Sequence, residues 1–136
     1  MEKVRILKRA ITLIEMIVVM ILIATITGAV TLNYRKSLNE GRAFRTKEGM
    51  ERIETMLSLY FAENPDANRS VTDYAELLSI ASQSPLVKNP KDFLQDGWGT
   101  NYEIVCKDTG SDVEIRVSSR KYEQYLKEKD TKSHTK

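Results

Sequence analysis

Cysteine, histidine, proline and glycine are all scarce in this chain, and each scarcity removes a class of explanation. The single cysteine, Cys106, has no partner for an intramolecular disulfide. It falls in an alternating apolar pattern, where a buried small side chain is the ordinary reading and a reactive thiol the rarer one. The single histidine, His134, sits in a lysine-rich tail. A histidine-based catalytic or metal centre needs partners that its neighbourhood does not supply. With no Ser-His-Asp set, no metal cluster and no phosphate-binding loop, an enzyme is not expected, nor is a cofactor. The prolines are Pro65, Pro85 and Pro90, so no proline interrupts residues 11–63.

Charge excess is also lacking. Lys and Arg number 21 against 19 Asp and Glu, a net of +2. Nucleic-acid binding, which calls for a clustered basic excess, is not expected. The excess is confined to residues 1–10, where Lys3, Arg5, Lys8 and Arg9 face only Glu2.

What the chain does have is a long apolar run. Residues 11–32 hold no Lys, Arg, Asp, Asn, Gln, Pro or aromatic side chain, and one ionisable group, Glu15. As a helix this run reaches ~33 Å, the thickness of a bilayer core. The leader charges favour a cytoplasmic N-terminus. Arg35, Lys36, Arg42, Arg45 and Lys47 on the far side oppose that orientation. Beyond the run, Met50, Ile53, Met56, Leu57, Tyr60 and Phe61 recur at three- and four-residue spacings, the stripe of an amphipathic helix. Asn64-Pro65 ends it. The pattern predicts one helix from about residue 11 to about residue 62, ~75–80 Å long, with Gly28 and Gly41 as points of flexibility.

Residues 66–72 read as a loop. Asp73 and Glu76 have the spacing of a capping box before a short helix carrying Leu77, Leu78 and Ala81 to about Gln83. Ser84-Pro85 and Asn89-Pro90 bracket a further loop. Residues 101–107 and 112–118 alternate with period two, and Asp108-Thr109-Gly110-Ser111 between them is a turn, so an antiparallel hairpin is expected. Tyr122, Tyr125 and Leu126 can add a last short element, and disorder is expected after Glu128. The predicted fold class is α+β. The boundaries are 1–10 for a basic leader, 11–32 for a membrane-spanning half-helix, 33–63 for its amphipathic continuation, 64–128 for a small α+β domain, and 129–136 for a disordered tail.

Glu15 separates the readings of the N-terminus. A basic stretch before an apolar run is also a secretory signal peptide, which would be cut near Ala24 or Ala29, or a plain signal anchor. The run is longer than a signal-peptide core, and a carboxylate in hydrocarbon costs on the order of 2–3 kcal/mol, less near a helix end. A lone anchor gains nothing from it. Arg9 and the Thr12 hydroxyl are the nearest donors in sequence. If the chain is cut after Ala10, the new α-amino group of Ile11 becomes a partner, and in a bundle of packed helices it can meet Glu15 of a neighbour.

Ala10-Ile11-Thr12-Leu13-Ile14-Glu15, followed by an apolar helix, resembles the leader region of type IV pilins and type II secretion pseudopilins. The resemblance implies a pilin-like fold, cleavage by a prepilin peptidase between Ala10 and Ile11, N-methylation of Ile11, and a role for Glu15 in subunit assembly. Ala10 stands where the family usually has Gly, Ile11 where it usually has Phe, and Leu32 where many relatives have Pro. Asp96-Gly97-Trp98-Gly99-Thr100-Asn101-Tyr102 is by itself a tight turn before a strand, with Trp98 as a core plug. Beside the first signal it is similar to the Asp-Pro-Trp-Gly-Asn-Pro-Tyr stretch of major, G-type pseudopilins. Those relatives bind calcium after the following strand. Here the segment from Val117 to Tyr125 holds two bases and one acid, and the weak alternatives Asp108 and Asp112 stand elsewhere, so no tight calcium site is expected.

The resemblance implies a structural subunit of a short periplasmic filament that drives export by a type II secretion system. It would be anchored in the bacterial inner membrane by a single pass, with its globular part periplasmic. Its partners would be further copies of itself through the N-terminal helices, minor pseudopilins, the prepilin peptidase, and an inner-membrane platform with a separate ATPase. A type IV pilus or a DNA-uptake pseudopilus is the alternative use of the same filament. A binding domain on an uncleaved anchor is a third reading.

Overall fold

The structure, a computed structural model, describes residues 11–134. The leader, with Ala10 and the bond to be cut, lies outside the described residues, as do residues 135 and 136 of the tail. Four helices and two strands follow in the order α1 (Leu13–Glu63), α2 (Tyr74–Gln83), α3 (Pro90–Phe93), β1 (Glu103–Asp108), β2 (Val113–Ser118) and α4 (Arg120–Ser133). The chain divides into two compact units, one ending at Ser37 and one beginning at Leu38.

In the first unit every described residue is exposed. The apolar side chains there cover no protein surface, and the helix is long and apolar enough to cross a membrane. Three of its threonine hydroxyls are satisfied internally. Thr25 Oγ1 donates to Leu22 O, Thr27 Oγ1 to Ile23 O and Thr31 Oγ1 to Thr27 O, all at 2.7–2.8 Å. Bonds of that kind let a threonine-rich segment face lipid without an unpaired donor.

The second unit has the core. Residues 38–63 of α1 contribute Ile53, Met56, Leu57 and Phe61, α2 contributes Leu77, Ile80 and Ala81, and the hairpin contributes Ile104, Cys106 and Val117. Val71, Leu94 and Tyr102 fill the spaces between them. Strands β1 and β2 are antiparallel, with Ile104 opposite Val117 and Cys106 opposite Ile115. A two-stranded sheet is marginal by itself. This one gains a covering on one edge, where Cys106 N–H donates to Val71 O at 3.0 Å. Gly110, at φ 87°, closes the hairpin turn, and its N–H donates to Asp108 Oδ1.

Several expectations need correction. The buried stripe of α1 starts earlier than Met50, because Ala43 and Thr46 are buried as well. Asp73 precedes α2 in an extended conformation but makes no side-chain cap bond, so the capping box does not form. A four-residue helix, α3, occupies the second expected loop, with Pro90 at its start, where a missing N–H costs nothing. The predicted disorder after Glu128 gives way to helix through Ser133. Ser119 caps α4 by accepting from Tyr122 N–H at 3.2 Å. No Gly or Pro follows Gly110. Glu123 precedes Lys127, and Glu128 precedes Lys132, at the helix-supporting four-residue spacing.

Burial, with a smaller contribution from Glu76, pushes the Cys106 thiol up to about 11 from its ordinary 9.0. The folded chain should therefore resist alkylation of Cys106 at pH 8 and react only on unfolding. A mass-spectrometric time course with and without urea measures this, and rapid labelling of the folded chain would contradict the burial.

Candidate functional site

Two constellations were legible in the sequence, and each belongs to a different unit. At the start of α1, Thr12 is the residue before the first helical one. Its Oγ1 accepts from Glu15 N–H at 3.4 Å, and its carbonyl accepts from Met16 N–H at 3.3 Å. Thr-Leu-Ile-Glu therefore starts a helix: the threonine satisfies an orphan donor, and the acid stands in the first turn, where the helix dipole favours a negative charge. The Glu15 side chain is exposed, as is Ile11. Among the described residues no ion pair involves Glu15.

One face of the same segment is shallow. Met20, Ile23, Ala24, Thr27, Gly28 and Thr31 line an open depression, with nothing within 4 Å of the position a Gly28 Cβ would take. Small side chains of this kind let a second helix approach closely in lipid.

The second constellation is built around Asp96, a buried carboxylate. Asp96 Oδ1 accepts from Trp98 N–H and Thr100 N–H, both at 2.9 Å. Its Oδ2 accepts from Ser119 Oγ at 2.7 Å. Backbone bonds from Asp96 N–H to Thr100 O and from Gly99 N–H to Asp96 O close the turn, with Gly99 at φ 79°. Gly97 N–H donates to Thr46 Oγ1 at 2.9 Å, and that hydroxyl donates to Arg42 O at 2.8 Å. Tyr102 Oη donates to Thr46 O at 3.0 Å. Its phenol is pushed up to about 12 by burial first and by the Asp96 charge second.

Two glycines permit this contact. A Cβ on Gly97 would overlap the Arg42 backbone, and one on Gly49 would overlap the Tyr102 hydroxyl. Asp96, Gly97 and Gly99 thus hold a turn against α1 and tie it to the start of α4. Trp98 differs from expectation. It is half-buried rather than a core plug, and its ring meets Tyr125 of α4 with centroids 6.2 Å apart. Thr46 and Ser119, both buried, were not singled out in the sequence. For Thr46 a signal existed: it continues the apolar stripe three residues after Ala43 and seven before Ile53.

Asp108 and Asp112 serve their own turn. Asp108 Oδ1 accepts from Gly110 N–H and Asp112 Oδ1 from Val113 N–H, each at 2.8 Å. Among the described residues no group of three or more His, Cys, Asp or Glu side chains could hold a metal ion.

Asp96→Ala should cost on the order of 3 kcal/mol, since one buried donor, the Ser119 hydroxyl, and two part-buried N–H groups lose their acceptor. Gly97→Ala should cost on the order of 2–3 kcal/mol through overlap with α1. Ser119→Ala should cost on the order of 2 kcal/mol, since it loses both the cap and the buried bond to Asp96. Urea unfolding of the detergent-solubilised chain, followed by Trp98 fluorescence, ranks the three, and a neutral Asp96→Ala would refute the hub.

No protein-family model matches the chain, and no solved structure matches it. Three proteins of chlamydiae do. The chain is 34% identical over 117 residues to a protein of Chlamydia muridarum named "Putative outer membrane protein", covering 86% of this chain and 93% of that one. A protein of the same name from Chlamydia trachomatis is 32% identical over 124 residues, covering 91% and 98%. A Chlamydia pneumoniae protein, also named "Putative outer membrane protein", is 29% identical over 108 residues, covering 79% and 86%.

Proposed function

Because the chain belongs to the family of these chlamydial proteins, whose name speaks of a membrane, we propose that it is a membrane-anchored structural subunit that polymerises through its N-terminal helix. The closest functional class is the pseudopilin: cleaved between Ala10 and Ile11, methylated at Ile11, and assembled into a short periplasmic filament serving protein export. The reading rests on one observation. Residues 11–32 display an exposed apolar surface with a single carboxylate, Glu15, near its start.

A lipid bilayer covers that surface but leaves the acid without a counter-charge. Packed copies cover it equally well and supply one, the Ile11 amine of a neighbour. The Thr12 cap and the helix dipole account for an acid in the first turn of any helix, but not for keeping it beside hydrocarbon. The shallow face at Ala24 and Gly28 supports close helix packing, and the Asp96 turn sits where the resemblance to major pseudopilins lies.

The relatives' name bears on which membrane is involved. Bacterial single-chain outer-membrane proteins span as closed barrels of ~8 strands or more. The described residues hold two strands. A helix of this kind is an anchor for the inner membrane, and contact with the outer membrane would come through the assembled filament.

Glu15→Leu should insert, be cleaved and be recovered from membranes, yet yield at least about tenfold less sedimentable polymer, the equivalent of ~1.4 kcal/mol. A bulky residue at Ala10 should leave a longer precursor that stays monomeric. Mass spectrometry of the N-terminus together with sedimentation after membrane extraction reads both. A mature chain beginning at Met1, or after Ala24, would end the proposal, as would normal polymer from Glu15→Leu.

A further inference from the structure

Residues 38–63 of α1 have one buried side and a large exposed one. At 100° per residue, the buried Thr46, Ile53 and Leu57 define the back of the helix. Arg45 and Arg52 then fall along one flank, with Arg42 on the same side but nearer the back, and Glu40, Glu51 and Glu54 along the other. All six are exposed. Between the flanks, at the front, stands Phe44, 65% exposed on a segment that otherwise buries its large apolar groups or places them near its ends. Among the described residues the one ion pair made by these six is Arg52 with Glu48, at 3.8 Å.

We propose that this part of α1 is a heterologous docking surface, on which the arginine flank of one copy receives the glutamate flank of the next, with Phe44 covered between them. The inference rests on the polymer reading above and deepens it: it names the surface outside the membrane that sets the geometry of the contact. Charge complementarity selects a second copy as the occupant. Three cations and three anions are carried on opposite sides of one helical segment, so each molecule presents both halves of the contact. A two-fold dimer would bring like flanks together or leave one of each pair unused. A head-to-tail contact uses both and leaves a free flank at each end for further copies, which is the condition for an open helical polymer. Copies anchored in one membrane stand parallel, and in that orientation unlike flanks face each other around the axis. Lys47 beside the acidic flank and Glu63 beside the basic one are minority charges that reduce each net without reversing it. Glu48, at the front, is held by Arg52 and does not compete for the neighbour's cations.

The test uses the full chain in membranes. Arg42→Glu with Arg45→Glu reverses one flank, and Glu51→Arg with Glu54→Arg reverses the other. Every side chain changed is exposed, so unchanged melting curves will show that the fold persists. Each double variant should lose polymer by about tenfold or more, and the quadruple variant, which exchanges the flanks, should recover to near the wild-type level. Arg45→Cys and Glu54→Cys should form disulfide-linked pairs when co-expressed and not when expressed alone, with the wild-type chain, whose Cys106 is buried, as the blank. Double variants that polymerise normally, or a quadruple variant no better than either, would overturn the inference while leaving filament formation intact. Absence of polymer from the wild-type chain itself would remove both.

Discussion

A single buried carboxylate organises the globular unit. Asp96 is buried, and a carboxyl group without hydrogen-bond partners would not be left inside so small a core. It is satisfied by two backbone N–H groups of its own turn and by the Ser119 hydroxyl. Because Ser119 also caps α4, the same carboxylate that shapes the turn fixes where the last helix begins. Because Gly97 donates to Thr46, the turn is seated on α1 as well. The chain's last element is therefore tied to its first through polar contacts, in a region where apolar contact alone would allow sliding.

That arrangement explains how a domain with a two-stranded sheet can hold together. The hairpin contributes one face to the core, and its free edges are poor in partners. Val71 occupies one of them. Stability rests on α1, which is both anchor and core wall. The part of the helix up to Ser37 is exposed in the isolated chain and the part that follows buries Ile53, Leu57 and Phe61. One helix thus meets two solvents, and its composition changes accordingly from unbroken aliphatic to amphipathic.

Much of this was legible in the sequence because it follows from periodicity. The long helix, α2 and the hairpin each announce themselves by spacing, and their observed limits lie within a few residues of those expected. What escaped depends on contacts between distant residues. Thr46 looks like an ordinary helix-surface hydroxyl until Gly97 is placed against it. Ser119 is one of two adjacent serines, and only its bond to Asp96 distinguishes it from Ser118. The helix α4 was hidden by its charge, since a run of lysine and glutamate reads as tail unless something caps its start. Trp98 misled for the opposite reason: a lone tryptophan suggests the core, yet the close fit of Gly97 against α1 leaves it at the margin, against Tyr125. At the N-terminus the residues Thr12 to Glu15 were legible as a unit, and among the described residues their geometry shows a helix start alone.

The bonds from Gly97 and Tyr102 to Thr46 join residues that are far apart along the polypeptide. During synthesis, Met50, Ile53, Leu57 and Phe61 emerge well before anything that can cover them. Until Tyr102 and the hairpin have followed, that stripe is a bare greasy ridge with nothing of its own chain to cover it. Any pause in synthesis before the hairpin lengthens that interval, in which bare apolar surface invites aggregation.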